Sequence, residues 1–354
     1  MRNRRALLAA GAGFGLGFAA ASGRAQDVDE FNGRAMPYAA FDRLPAELIE
    51  ADRHGAVIRL AFAPPGRPEL PPATIVAWVR QSALAVATYY GRFPARETRL
   101  LIVTSDGERV KSGTAFAYRG AAIRLQLGAE VTLERLNADW ILVREMTHLA
   151  LPSVPPQQHW IEEGLATYVE PLARAQAGQL GLAPVWSSML RGLPNGLPKA
   201  GDGGLDHTPT WGRIYWGGAL FALLADIDIR QRTDHRLGLQ HALRAILDHA
   251  NMESDSPLPP LLAIGDRAVG VPALQELYER MKDQPYPVDL DALWLRLGVR
   301  LEADGGVRFD DSAPLAAVRR ALTAPPTALP TTPPTTPPTA PPTTSQSGRR
   351  QSGG

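Results

Sequence analysis

The amino-acid sequence predicts an α+β domain, and three observations lead there. Short strand-like runs gather in the part of the chain before about residue 130. From Leu133 onward the hydrophobic pattern is almost wholly helical. No glycine-rich nucleotide or phosphate loop joins a strand to a helix in the folded part. Strands grouped first and helices after argue against a doubly wound sheet, in which the two alternate.

Val57 to Phe62 alternates enough to form a strand. Pro71-Pro72 then opens a helical pattern ending near Tyr90, with Gly91 beyond it as a stop. Leu100 to Val103 is an apolar run closed by Ser105-Asp106-Gly107, which fits a strand and a turn. Thr114–Tyr118 and Ala122–Leu127 read as two more strands separated by Arg119-Gly120. Helices are predicted over 133–150, 158–176, 211–232, 237–250, 272–283 and 288–297, and a small hairpin over Val299–Phe309 around Asp304-Gly305-Gly306.

The 354 residues divide into three parts. Residues 1–25 carry four arginines and no acid, then an apolar, glycine-rich run and small residues at Gly23 and Ala25. That order is a secretory signal peptide, and Arg4-Arg5 followed by Ala6-Leu7-Leu8 resembles the twin-arginine export signal. The expected location is therefore the periplasm or cell envelope. The apolar run is too short to span a bilayer comfortably, so no transmembrane anchor is expected in the mature chain. Residues 26–322 form one folded domain. Residues 323–354 are rich in Pro and Thr, cannot bury a core, and read as an extended, polyproline-like tail.

Outside the signal the chain carries 33 basic against 36 acidic residues, which excludes bulk nucleic-acid binding. It has no cysteine, so Cys nucleophiles and Cys-held metals are excluded. Any metal must be held by His, Asp or Glu.

Two segments carry chemistry. The first is Trp140-Ile-Leu-Val-Arg144-Glu145-Met146-Thr147-His148, in which positions 144 and 148 share one helix face with Glu145 beside them. This is the spacing of H-E-x-x-H, where two His bind zinc and the Glu activates water, with Arg144 in the place of the first His. The second is His159-Trp160-Ile161-Glu162-Glu163-Gly164-Leu165-Ala166-Thr167-Tyr168. Gly164 has no side chain and would let two helices approach closely. Glu162 is expected to face solvent.

Together these segments resemble the gluzincin metallopeptidases, in particular the peptidase-MA-like and glycyl-aminopeptidase-like group. There an H-E-x-x-H helix is followed by a helix reading W-x-x-E-G-x-A-x-Y. Trp160, Glu163, Gly164, Ala166 and Tyr168 match the second helix, and Tyr215-Trp216-Gly217-Gly218-Ala219 matches a downstream Tyr-x-x-Gly helix. The resemblance spans roughly residues 50 to 300. It implies a zincin-like fold, a peptide or protein substrate, and zinc-activated water as the nucleophile. It also implies that His148 and Glu163 are metal ligands, Glu145 the general base, and Tyr215 a donor to the oxyanion.

Arg144 breaks that pattern, because a guanidinium has no lone pair to offer zinc. His159 is spaced i,i+4 from Glu163, so His148, His159 and Glu163 form an alternative ligand set. Otherwise the metal position is expected to be filled by the Arg144 guanidinium paired with Glu163. Three roles stay open: a peptidase with an impaired zinc site, a pseudopeptidase that binds peptides or a partner protein without cutting, and an envelope protein acting through its tail.

Overall fold

The computed structural model describes residues 30–325, residue 32 excepted. The expected signal peptide, and the tail from residue 326 onward, lie outside the described residues. Among the described residues no helix is long and apolar enough to cross a membrane.

After a short helix α1 (Tyr38–Phe41) come strands β1 (Glu47–Glu50) and β2 (Val57–Phe62), helix α2 (Pro72–Tyr90), then β3 (Glu97–Ser105), β4 (Val110–Phe116) and β5 (Ala122–Gly128). The strands form one sheet in the order β1-β2-β3-β5-β4. β2, β3 and β5 run parallel, while β1 and β4 are antiparallel edges. A parallel pair needs a crossover, and α2 supplies it between β2 and β3. The run Leu100–Val103 is apolar on both sides because both faces of β3 are covered. Leu100 and Ile102 join the main core beneath α2, whereas Leu101 and Val103 pack against Phe31, Met36, Tyr38 and Phe41. β1 has only Ile49 buried, so it carries too little periodicity to be legible in the sequence.

The helical half contains α3 (Leu133–Ala138), α4 (Ile141–His148), α5 (Trp160–Gln176), α6 (Leu182–Gly192), α7 (Gly218–Arg232), α8 (Leu239–His249), α9 (Leu258–Val269), α10 (Ala273–Met281) and α11 (Leu290–Leu297), followed after a hairpin by α12 (Ala316–Thr323). A single π-type turn, Arg213–Gly217, leads directly into α7. The hairpin pairs β6 (Val299–Leu301) with β7 (Val307–Phe309), as the sequence indicates.

The continuous helix expected over 133–150 is instead two helices. Asp139 leaves the helical conformation with ψ 141°. Its carboxylate accepts from the amides of Ile141 at 3.2 Å and Leu142 at 3.1 Å. An acidic side chain in this role starts a new helix.

The second and third segments of the motif meet backbone to backbone. A Cβ placed on Gly164 of α5 would fall 2.3 Å from the Gly218 backbone, and one on Gly218 would fall 2.2 Å from the Trp160 carbonyl oxygen. Glycine at both positions is what lets α5 cross the start of α7 and brings Tyr215 towards Glu163. On the other side α4 lies against the edge strand β4, where a Cβ at Gly113 would come 2.5 Å from Cγ of Glu145.

Candidate functional site

Arg144, Glu145 and His148 on α4 and Glu163 on α5 are between 2% and 6% exposed. Charged side chains are buried this deeply only when paired. The Arg144 guanidinium donates through Nη2 to Oε2 of Glu163, so the expected pair is formed. Its Nη1 lies 3.5 Å from Oε1 of Glu145. Its Cζ sits 5.1 Å from the centre of the Tyr215 ring, a cation–π contact. Glu145, Glu163 and Tyr215 therefore meet around one guanidinium.

The histidines close the other side. Nε2 of His148 is 3.9 Å from Oε2 of Glu163. His159 bridges two acids, with Nε2 3.4 Å from Oε1 of Glu163 and Nδ1 2.8 Å from Oε2 of Glu162. Glu162 does not face solvent as expected. Its side chain is only 9% exposed, and it accepts from the Val154 amide at 2.9 Å. The segment joining α4 to α5 folds back over the first turn of α5, and that amide needs an acceptor. The sequence reading also passes over Trp211, whose i,i+4 spacing to Tyr215 is the signal for it. The two rings stack with centroids 5.9 Å apart and planes 26° apart.

Protonation follows from this crowding. Burial drives the Glu145 carboxyl up to about 7, tempered by Arg144. Burial also pulls His148 down to about 3, so its ring is neutral. Burial opposes the charge of His159 too, but its bonds to Glu162 and Glu163 outweigh it and raise the ring to about 9. Glu163 is pushed up by burial yet held well below the ordinary carboxylate range by its basic neighbours. Tyr215 rises to about 12 through burial and the neighbouring Glu163.

A catalytic zinc takes three protein lone pairs and a water. The donors here do not meet that need as arranged. Arg144 offers none, and the Glu163 carboxylate is already occupied by Arg144 and His159. Among the described residues no group of three His, Asp or Glu is placed to hold an ion.

No protein-family model matches the chain. No curated protein matches it either. Among solved structures, the chain is similar to an aminopeptidase N family protein from Idiomarina loihiensis, with a TM-score of 0.53 and 14% identity over 73% of this chain and 50% of that one. The likeness is one of fold. An M1 zinc metallopeptidase from Deinococcus radiodurans aligns with a TM-score of 0.45 and 16% identity over 69% of this chain and 52% of that one. The chain thus spans about half the length of these neighbours. The mixed fold, with its five-stranded sheet and helical half, is the fold that the chain shares with the aminopeptidase N family protein.

Proposed function

We propose that this chain is an exported pseudopeptidase: a gluzincin scaffold, zincin-like in fold, that holds a peptide segment without zinc-dependent cleavage. The observation that carries the reading is the buried Arg144 guanidinium on Glu163. It stands at the position that the H-E-x-x-H pattern gives to the first His, and it engages the carboxylate that the second helix would give to a metal. A fixed cation then does the tying of α4 to α5 that an ion would otherwise do.

A second reading has its own support. Glu145, His148, Glu163 and Tyr215 are brought together, and His159 also reaches Glu163. A peptidase with the ligand set His148, His159 and Glu163 would require Arg144 to swing away.

Metal analysis of the purified protein, equilibrated with zinc and then dialysed, separates the two. The expected result is zinc well below one ion per chain, rising towards one in Arg144→His. Stoichiometric zinc in the wild type, lost in His159→Ala, would overturn the proposal. For export, N-terminal sequencing from the native cell should begin near Gln26. A soluble form that keeps Met1 would refute it.

A further inference from the structure

Trp211 is 62% exposed, although tryptophan carries more apolar surface than most side chains. It lies in the first helical turn before the π-type turn, where the Ile214 amide donates to the Thr210 carbonyl at 2.9 Å. Its ring is supported from within the site by Tyr215, which itself packs on Arg144. An aromatic surface held in place this way loses little freedom when something settles on it.

Proline-rich segments are the natural occupants of such a surface. They are extended before binding, have little entropy left to lose, and pack their rings against aromatic side chains. The chain carries such a segment itself, with Pro-Pro pairs at 325–326, 333–334, 337–338 and 341–342. Its starting point is fixed on the protein. The Leu322 carbonyl, at the end of α12, accepts from Nε2 of Gln176 at 3.0 Å, at the far end of α5 from Glu163. At about 1.5 Å per residue that end lies about 20 Å from the site. A polyproline segment advances about 3.1 Å per residue. Ten residues reach at most about 33–36 Å, so the chain between 323 and 333 is long enough to bridge that distance and bring the pairs at 333–342 within reach of the aromatic surface. A tether of this length supplies a local concentration on the order of millimolar.

We propose that residues 333–342 dock in cis on the Trp211–Tyr215 surface, so that the chain's own Pro/Thr segment occupies the mouth of the site. This rests on the reading of the site as a binding cleft, and it makes proline-rich extended peptide the ligand class. A partner's proline-rich segment would compete for the same surface.

The test uses the full chain. Because the protein has no cysteine, Thr336→Cys accepts a single nitroxide. Amide NMR signals of residues 212–218 are compared with the label oxidised and reduced. They should lose about half their intensity or more, as a millimolar tether gives against a millimolar site. The loss should vanish in Trp211→Ala and return in Trp211→Tyr. Equal broadening with and without an aromatic at 211, or none in the wild type, would overturn the proposal. So would broadening confined to mixtures in which isotope and nitroxide sit on different chains, which would make a second copy the occupant. Zinc in the wild type would sink the pseudopeptidase reading and leave this signal unchanged, so the two failures are told apart.

Discussion

Two of the buried charged clusters along α5 are built on different terms. At the first, Asp226 accepts from Arg230 Nε at 2.8 Å, the Leu239 amide at 2.9 Å and the Tyr168 hydroxyl at 3.0 Å. One acid meets one base, and the remaining acceptors are filled by a phenol and an amide. This joins α5, α7 and α8 and uses no group beyond what the joint requires. At the second, Glu145, Glu162 and Glu163 crowd around one guanidinium and two imidazoles. Its members titrate far from their ordinary values, at about 7 for Glu145, about 3 for His148 and about 9 for His159. A joint between helices needs the first kind of cluster. The second gathers more ionisable groups than such a joint requires.

The contrast breaks most visibly at Arg144. Arg144→Ala leaves the buried Glu163 with only the His159 imidazolium beside it and should cost up to about 3–5 kcal/mol in chemical denaturation. Arg144→Met combined with Glu163→Gln should recover most of that loss, since removing both charges also removes the desolvation cost. A double variant as unstable as Arg144→Ala would show that the pair is needed for more than its charge balance. In the Asp226 cluster, Tyr168→Phe removes one donor and should cost only about 0.5–1.5 kcal/mol, with the same pH dependence as the wild type.

The smallest effect is a pH dependence. His159 has a folded-state pKa of about 9, above its ordinary value of about 6.5. Its contribution is full below about 6.5 and is lost as pH rises through about 9. Glu145 and Glu170, both at about 7, are still half protonated at pH 7 and finish most of their titration by about pH 8, so the part of the window that reports His159 lies above that. Stability measured between pH 8 and about 9 should therefore fall in the wild type and flatten in His159→Asn. An unchanged slope in that variant would assign the window to another group.

Much of the fold was legible because its long periodic elements are locally consistent. α2 shows a proline start and a glycine stop, and α5 apolar residues at helical spacing from Trp160 to Ala173. The pairing of Arg144 with Glu163 was legible through the resemblance, which implies a shared metal position for residue 144 and Glu163 that a guanidinium can fill. The break at Asp139 was not, since an acid inside a helical pattern looks like an exposed face until its carboxylate is seen on two amides. α9 was missed because Pro259 and Pro260 read as breakers, although prolines are tolerated in a first turn. α12 is only eight residues long and borders the proline-rich segment, so it was passed over although Ala, Arg and Leu favour a helix; Arg319 secures it by donating to the Leu297 and Gly298 carbonyls. The burial of Glu162 and the engagement of His159 depend on how the α4–α5 segment folds back, which no single-helix pattern records.

The contact of Gly164 on Gly218 gives the site an uneven tolerance to change. Every charged group around Arg144 is a side chain, and each can in principle be exchanged while both helix axes stay where they are. The crossing has no such latitude. One methyl group at either glycine would drive the helices apart and move Glu163 away from Tyr215 together with everything that surrounds them. The chemistry of this protein is thus open to single-residue drift, while the frame that gathers it is not.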